Sequence, residues 1–375
     1  MRFHSVLAVI LGGSVIGCDI PTKVPDSVQW NEHLHQEIRG MSFVSWDAGE
    51  YSSSDALLSL MRVRSIGATW VAIIPTWYMA DLTSVSIMPD PIKTPDDDAV
   101  RAAIQNARAL GLQVLLKPHV DVRGNKWRGS ITPADTSLWF DSYRTFLLHY
   151  AEIAQTEGVK VLCIGTELKN LTSSICQQRW VSIIRDVRKV FSGLLTYAAN
   201  FDEYQTVSFW SRLDFIGIDG FFPLSTHAYS TVSELVFDWQ PWLADISRWA
   251  LQAPDAVGKP IVFTELGYAS QPGCAIAPWE KDPAAEADEE EQARAYEAAL
   301  RALRVQGWYG GVFWWNWPVK ADAPIYRNDY SPAGKRAEEV LRAFWKESLT
   351  AEVGQFRTHR MYEATGELVY GEWQQ

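Results

Sequence analysis

The sequence predicts an α/β protein, a single (β/α)8 barrel with a short C-terminal extension. Eight short apolar runs alternate with amphipathic helical patterns over most of the 375 residues, a rhythm that fits a closed parallel barrel. Several runs carry no charge, Val161–Gly165 above all, as strands buried on both faces require. An open doubly wound sheet would want a Gly-rich phosphate loop after its first strand. Gly40-Met41-Ser42 is no such loop.

At the N-terminus, Arg2 precedes an apolar run, Val6–Ile16, too short to span a bilayer as a mature helix. It ends Val15-Ile16-Gly17-Cys18, which resembles a bacterial lipoprotein signal with Cys18 as the lipidated first residue of the mature chain. An ordinary secretory signal is the alternative. Asp19 resembles the signal that keeps lipoproteins at the periplasmic face of the inner membrane. Residues 19–37 are polar, contain Pro21 and Pro25, and read as a tether. The expected location is therefore the cell envelope, with membrane contact through a lipid anchor only, or secretion.

The barrel is expected over residues 38–345. Its strand candidates are Gly40–Ser45, Thr69–Ile74, Gln113–Pro118, Lys160–Gly165, Leu194–Ala199, Asp214–Ile218, Pro260–Thr264 and Gly311–Trp315. Helices are expected at Ser54–Ile66, Asp96–Leu110, Ser137–Thr156, Ile175–Val190, Trp239–Leu251 and Ala287–Gln306. Asp96 supplies an N-cap, and Leu110-Gly111 and Gln306-Gly307 are stop signals. The connection Phe201–Arg212 shows the weakest helical pattern. Residues 346–375 leave the rhythm, and Ala364-Thr365-Gly366 there suits the turn of a small hairpin.

Composition narrows the function. A net charge of −11 argues against nucleic acid as a partner. Eighteen Trp exceed ordinary usage; core packing should take more than half, and the remainder suits stacking on sugar rings. Cys163 shares a strand face with Glu167 and should remain an interior thiol. Cys176 and Cys274 follow the two Glu-bearing strands, where an oxidising compartment could join them. With no CxxC pair and no HxxxH, no metal and no cofactor are expected.

Two stretches share one grammar. VLCIGTELKN ends a buried strand at Gly165-Thr166-Glu167, and PIVFTELGY ends another at Thr264-Glu265, 98 residues later. They fall on the fourth and seventh strands, so the C-terminal mouth of a barrel can bring both carboxylates to one site. Other polar or aromatic groups at strand ends are Trp46, Asp47, Lys117, His119, Asn200, Asp219, Trp314, Trp315 and Asn316. Of these, Trp46, Lys117, His119, Asn200, Asp219, Trp314 and Trp315 are the candidate substrate contacts. Lys117, His119 and Asp121 share one face of an extended segment; His119 can bind sugar or make a structural hydrogen bond, and lacks a second His at ligand spacing. Paired carboxylates with aromatic walls cleave glycosidic bonds: one donates a proton to the leaving oxygen, the other attacks the anomeric carbon or activates water.

Ile164-Gly165-Thr166-Glu167-Leu168, Phe263-Thr264-Glu265-Leu266-Gly267-Tyr268 and Phe313-Trp314-Trp315 together resemble glycoside hydrolase family 113, within clan A. The resemblance implies a retaining enzyme acting on β-1,4-mannan or glucomannan, with Glu167 as general acid/base and Glu265 as nucleophile. It also implies that His119, Trp314 and Trp315 line the subsite of the sugar under attack. Two positions depart from the clan pattern. Thr166 stands where many members carry Asn, and Asp219-Gly220-Phe221-Phe222-Pro223 has no Tyr where many place one against the nucleophile. A monomer acting on a β-linked oligo- or polysaccharide is expected. A glycosidase for a cell-envelope or exopolysaccharide glycan, or a non-catalytic glycan-binding barrel, are the alternatives.

Overall fold

The computed structural model describes residues 36–320 and 328–346. Cys18, nearly all of the 19–37 tether and the 360–370 hairpin lie outside the described residues. Among the described residues there are ten strands: β1 (Ile38–Val44), β2 (Trp70–Ile74), β3 (Thr76–Met79), β4 (Gln113–Leu116), β5 (His119–Val122), β6 (Val161–Thr166), β7 (Leu194–Asn200), β8 (Ile216–Asp219), β9 (Ile261–Leu266) and β10 (Tyr309–Pro318). Eight of them close an all-parallel barrel in the order β1-β2-β4-β6-β7-β8-β9-β10, with β10 returning to β1. All eight sequence-expected strands are there.

β3 and β5 continue the second and third barrel strands past Pro75 and Pro118. A proline has no N–H to donate, so each barrel ladder breaks there. The chain then resumes as a two-stranded parallel sheet, Thr76 opposite His119 through Met79 opposite Val122, standing on the rim. Nothing in the sequence pattern marks the continuation at β3.

Six helices, α1 (Ser54–Ser65), α2 (Asp97–Ala109), α3 (Thr136–Thr156), α4 (Gln177–Val190), α5 (Val232–Gln252) and α6 (Glu289–Leu303), surround the barrel, with a further helix over 336–346. Side chains of Ser53, Asp96, Asp135, Thr231 and Asp288 accept first-turn N–H groups, which satisfies donors a helix cannot satisfy internally. α5 starts seven residues before the expected Trp239. Pro241 argues against extending that helix backwards, whereas Thr231 and Glu234 form a capping box that marks the true start. As the weak pattern at Phe201–Arg212 implies, no α-helix joins β7 to β8; turns and one 3-10 turn at Trp210–Arg212 do so.

The core has two layers. Inside the barrel pack Ile38, Val44, Trp70, Ala72, Leu115, Cys163, Ala198, Val262 and Phe313; a larger shell lies between strands and helices. The inner layer interlocks large with small. A Cβ on Gly40 would sit 2.3 Å from the Phe313 ring, so only glycine lets that ring cross the axis. Trp139, Trp180, Trp210, Trp239, Trp314, Trp317 and Trp345 are below 2% exposed, so packing absorbs much of the tryptophan excess. Cys163, Cys176 and Cys274 are buried free thiols, and no bridge joins the last two. Among the described residues no helix is long and apolar enough to cross a membrane.

Candidate active site

Strand-end irregularities decide which side chains reach the mouth. On β6, Cys163 faces inward and Ile164 outward, and one extra residue relative to β7, between Cys163 and Thr166, breaks the alternation just before Glu167. Glu167 ends the strand with φ of 50°, in the left-handed region that non-glycine residues enter at a cost. Two bonds hold it there: its N–H donates to Ala198 O at 2.8 Å, and the next N–H, of Leu168, donates to the Tyr197 hydroxyl at 2.6 Å. That hydroxyl in turn donates to Glu203 (2.8 Å), whose carboxylate also accepts from Thr172 and from the Asn200 N–H.

Glu265 also reaches the mouth past a bulge. On β9, Val262 faces inward and Phe263 outward, and Thr264 points in again, donating to Asp219 at 2.8 Å. Strict alternation would send Glu265 out among the helices. Instead β9 carries one extra residue relative to both neighbours: Phe263 and Glu265 oppose consecutive residues of β8, and Phe263 and Leu266 oppose Val312 and Trp314 of β10. Such a bulge re-aims a side chain. Here it puts Glu265 beside Asp219 at the barrel mouth.

Both glutamates line one open cleft of about 540 Å³, whose walls include Trp127, Arg128, Asn200, Phe201, Phe221, Trp279, Trp315 and Tyr330. Beneath it, Lys117 Nζ lies 2.5 Å from Glu265 Oε1 and 3.1 Å from Asp219 Oδ1. Lys117 and Asp219 are fully buried; Lys117 meets Glu265 from below, and neither lines the cleft. Burial opposes a charged Lys117, but Asp219 and Glu265 outweigh it and raise its pKa. His119 Nε2 lies 3.5 Å from the same Glu265 oxygen. Burial, then Arg128 and Lys117, push the His119 pKa well below its usual value, so the ring is neutral. An Arg128 guanidinium N–H meets His119 Nδ1 at 3.1 Å. Guanidinium only donates, so Nδ1 accepts and the ring proton sits on Nε2, which is buried without a hydrogen-bond partner.

Burial and the Asp219 charge raise the pKa of Glu265, to about 8, against the pull of Lys117; the Glu167 charge adds to the rise. Burial and Asp219 likewise raise Glu167, opposed by Arg128 and Lys117. Trp127 Nε1 stands 3.4 Å and Arg128 4.0 Å from Glu167 Oε2. Glu265 is thus met from below by the Lys117 ammonium, while Phe221 supplies an apolar wall of the cleft.

The other sequence candidates separate. Asn200 and Trp315 line the cleft, and Trp315 lies parallel to His119 with centroids 6.4 Å apart. Trp314, its neighbour, faces the opposite way: it is fully buried and stacked on Tyr296 of α6 at 3.9 Å. Trp46 is half exposed and borders a second cavity. Trp127, Arg128, Phe201, Trp279 and Tyr330 join the site without a sequence expectation behind them. They sit on loops, where no periodicity points to them; large aromatics in polar, Pro-containing loops are the available signal. Among the described residues no cluster of His, Cys, Asp and Glu could hold a metal ion.

Two carboxylates in an aromatic-walled cleft at the mouth of a (β/α)8 barrel are the equipment for glycosidic bond cleavage, and the class is glycoside hydrolase. The comparisons with known proteins agree and narrow it. The family model Glycoside Hydrolase Family 113 matches residues 41–335; the chain belongs to that family. It is similar to the solved GH113 β-mannanase AaManA from Alicyclobacillus acidocaldarius in complex with ManMIm, at 28% identity and TM-score 0.75, covering 84% of this chain and 99% of that one. A GH113 β-1,4-mannanase complex matches at 28% identity and TM-score 0.74, covering 83% and 99%. A GH2 β-galacturonidase from Eisenbergiella tayi shares the fold at 14% identity and TM-score 0.56, covering 83% of this chain and 51% of that one. No curated protein matches.

Proposed function

We propose that the protein is a retaining β-1,4-mannanase that works by double displacement. The observation that carries this reading is the common cleft of Glu167 and Glu265, with Lys117 donating to Glu265 alone of the two. Burial and Asp219 press both carboxyls upward, so the pair retains a shared proton near neutral pH. The Lys117 ammonium, by charge and hydrogen bond, favours an ionised Glu265, which leaves the proton on Glu167.

In the first step a Glu265 oxygen attacks the anomeric carbon. The glycosidic bond breaks as Glu167 passes its proton to the departing oxygen, and a glycosyl ester forms on Glu265. As the Glu265 charge is consumed, Lys117 turns fully to Asp219. Glu167, now ionised, takes a proton from water, the water oxygen attacks the anomeric carbon, and Glu265 is released. Trp127, Trp279 and Trp315 offer faces for the sugar rings. The two mannanase neighbours supply the substrate class, and the sequence motif at Cys18 supports tethering at the cell envelope.

Proton NMR of the first products from mannohexaose tests the reading. The newly released reducing end should appear as the β-anomer before mutarotation. An α-anomer would remove Glu265 from the nucleophile role, and no cleavage of any mannan would sink the mannanase assignment.

A further inference from the structure

We propose that the cavity beside the cleft is a second sugar site that takes an acidic unit of the polysaccharide, a sugar bearing a carboxylate. This rests on the glycan-cleaving reading of the cleft and extends its substrate class.

The cavity, about 510 Å³, is bordered by Trp46, Tyr78, Lys93, Asp121, Arg123 and Lys126. Trp46 is 50% exposed and has no aromatic partner among the described residues. A bare indole on a cavity wall is a stacking face. Around it the chain's charge balance reverses. Lys93 Nζ and Arg123 Cζ stand 5.9 and 5.7 Å from the Tyr78 ring centroid. One carboxylate organises both: Asp90 Oδ1 accepts the Lys93 N–H, and Oδ2 pairs with Arg123 at 2.7 Å. Asp121, the acid on the wall, is neutralised by Arg128 at 2.5 Å. Lys93 and Lys126 therefore present ammonium groups with no carboxylate at ion-pair distance among the described residues, in a chain of net charge −11. A neutral sugar has no use for two such cations; a carboxylate does.

The site adjoins the cleft. Residues 121–126 border the cavity and Trp127 and Arg128 border the cleft. The Val122–Lys126 bridge, with Gly124 and Asn125 at positive φ, folds this segment into the partition between them. A polysaccharide laid along the mouth passes from one to the other, so an acidic unit held here adds binding remote from the bond that breaks.

The test is calorimetric titration of the full chain carrying Glu265→Gln with two probes, mannohexaose and the hexamer of β-1,4-linked mannuronate, its C6-carboxylate counterpart. At low ionic strength the mannuronate hexamer should bind on the order of ten-fold tighter, with the advantage shrinking as salt rises. Lys93→Ala/Lys126→Ala in the same background should abolish the advantage. Equal affinities, or an advantage that survives the double substitution, overturn the proposal. So does acetate competing as effectively per mole as the hexamer, since the site would then recognise any anion and not a sugar. If Glu265→Gln does not fold, inhibition of wild-type mannohexaose cleavage by the mannuronate hexamer reads the same preference. Binding of both hexamers without discrimination defeats this inference and leaves the mannanase reading standing. Binding of the mannuronate alone does the reverse.

Discussion

Lys117 Nζ lies 2.5 Å from Glu265 Oε1 and within 3.2 Å of both oxygens of Asp219, so one ammonium joins two acids at the floor of the cleft. Its replacement by methionine would leave two buried carboxylates without a countercharge, an arrangement that costs roughly 3–5 kcal/mol if both stay ionised. Taking up a proton relieves it. Lys117→Met should therefore raise the Glu265 pKa and shift the acidic limb of kcat/KM to higher pH. An unmoved limb would show that Lys117 does not keep Glu265 ionised.

The pH profile of the wild type follows from the raised pair. Activity needs one carboxyl ionised and the other protonated, so kcat/KM should be bell-shaped. Because burial and Asp219 push both carboxyls upward, the alkaline limb, at which Glu167 loses its proton, belongs above the ordinary carboxylate range. In Glu167→Gln, a substrate with an activated leaving group should react without that limb.

The same displacement governs stability. The pKa of Glu167 is raised on folding by burial and Asp219, so its contribution is fully present below the ordinary glutamate pKa. It is lost as pH rises through the raised value. Glu167→Gln, which cannot ionise, should become steadily more stable than wild type as pH increases between those two values, by about 1.4 kcal/mol for every pH unit that separates them. Thermal melts at pH 5 and pH 9 would show it, and parallel behaviour at both would contradict it.

Tyr197 acts through the backbone. Its hydroxyl receives the Leu168 N–H and donates to Glu203, which fixes the left-handed turn at Glu167. Tyr197→Phe leaves a buried N–H and a buried carboxylate each short of a partner, costing about 1–3 kcal/mol. The kinetic signature should be a fall in kcat of about ten-fold with KM little changed. A rise in KM alone would deny the positioning role.

Trp279 is half exposed, stacks on Phe201 at 5.4 Å and walls the cleft. Trp279→Ala should raise KM for mannohexaose several-fold, roughly 1–2 kcal/mol, and spare kcat, because a flat contact of this kind binds ground and transition states alike.

The barrel is legible in the chain because parallel strands buried on both faces must be apolar throughout, and Val161–Thr166 and Ile261–Leu266 are nearly so. Glu167, Glu265, Lys117, Asn200 and Asp219 are legible as polar groups where such runs end. Whether each meets substrate or supports another residue is not: Lys117 and Asp219 lie beneath the cleft, a distinction of depth that a strand end does not encode. Trp314 and Trp315 read as a pair in the sequence, yet neighbours on a strand face opposite ways and only Trp315 borders the cleft. Loop contributors such as Trp127 and Trp279 follow no period.

The bulge in β9 makes the place of Glu265 depend on a backbone irregularity as much as on the residue itself. Were the same residues laid out as a regular ladder, with none squeezed out of register, strict alternation would turn the acid toward the helix shell with its chemistry intact and its address gone.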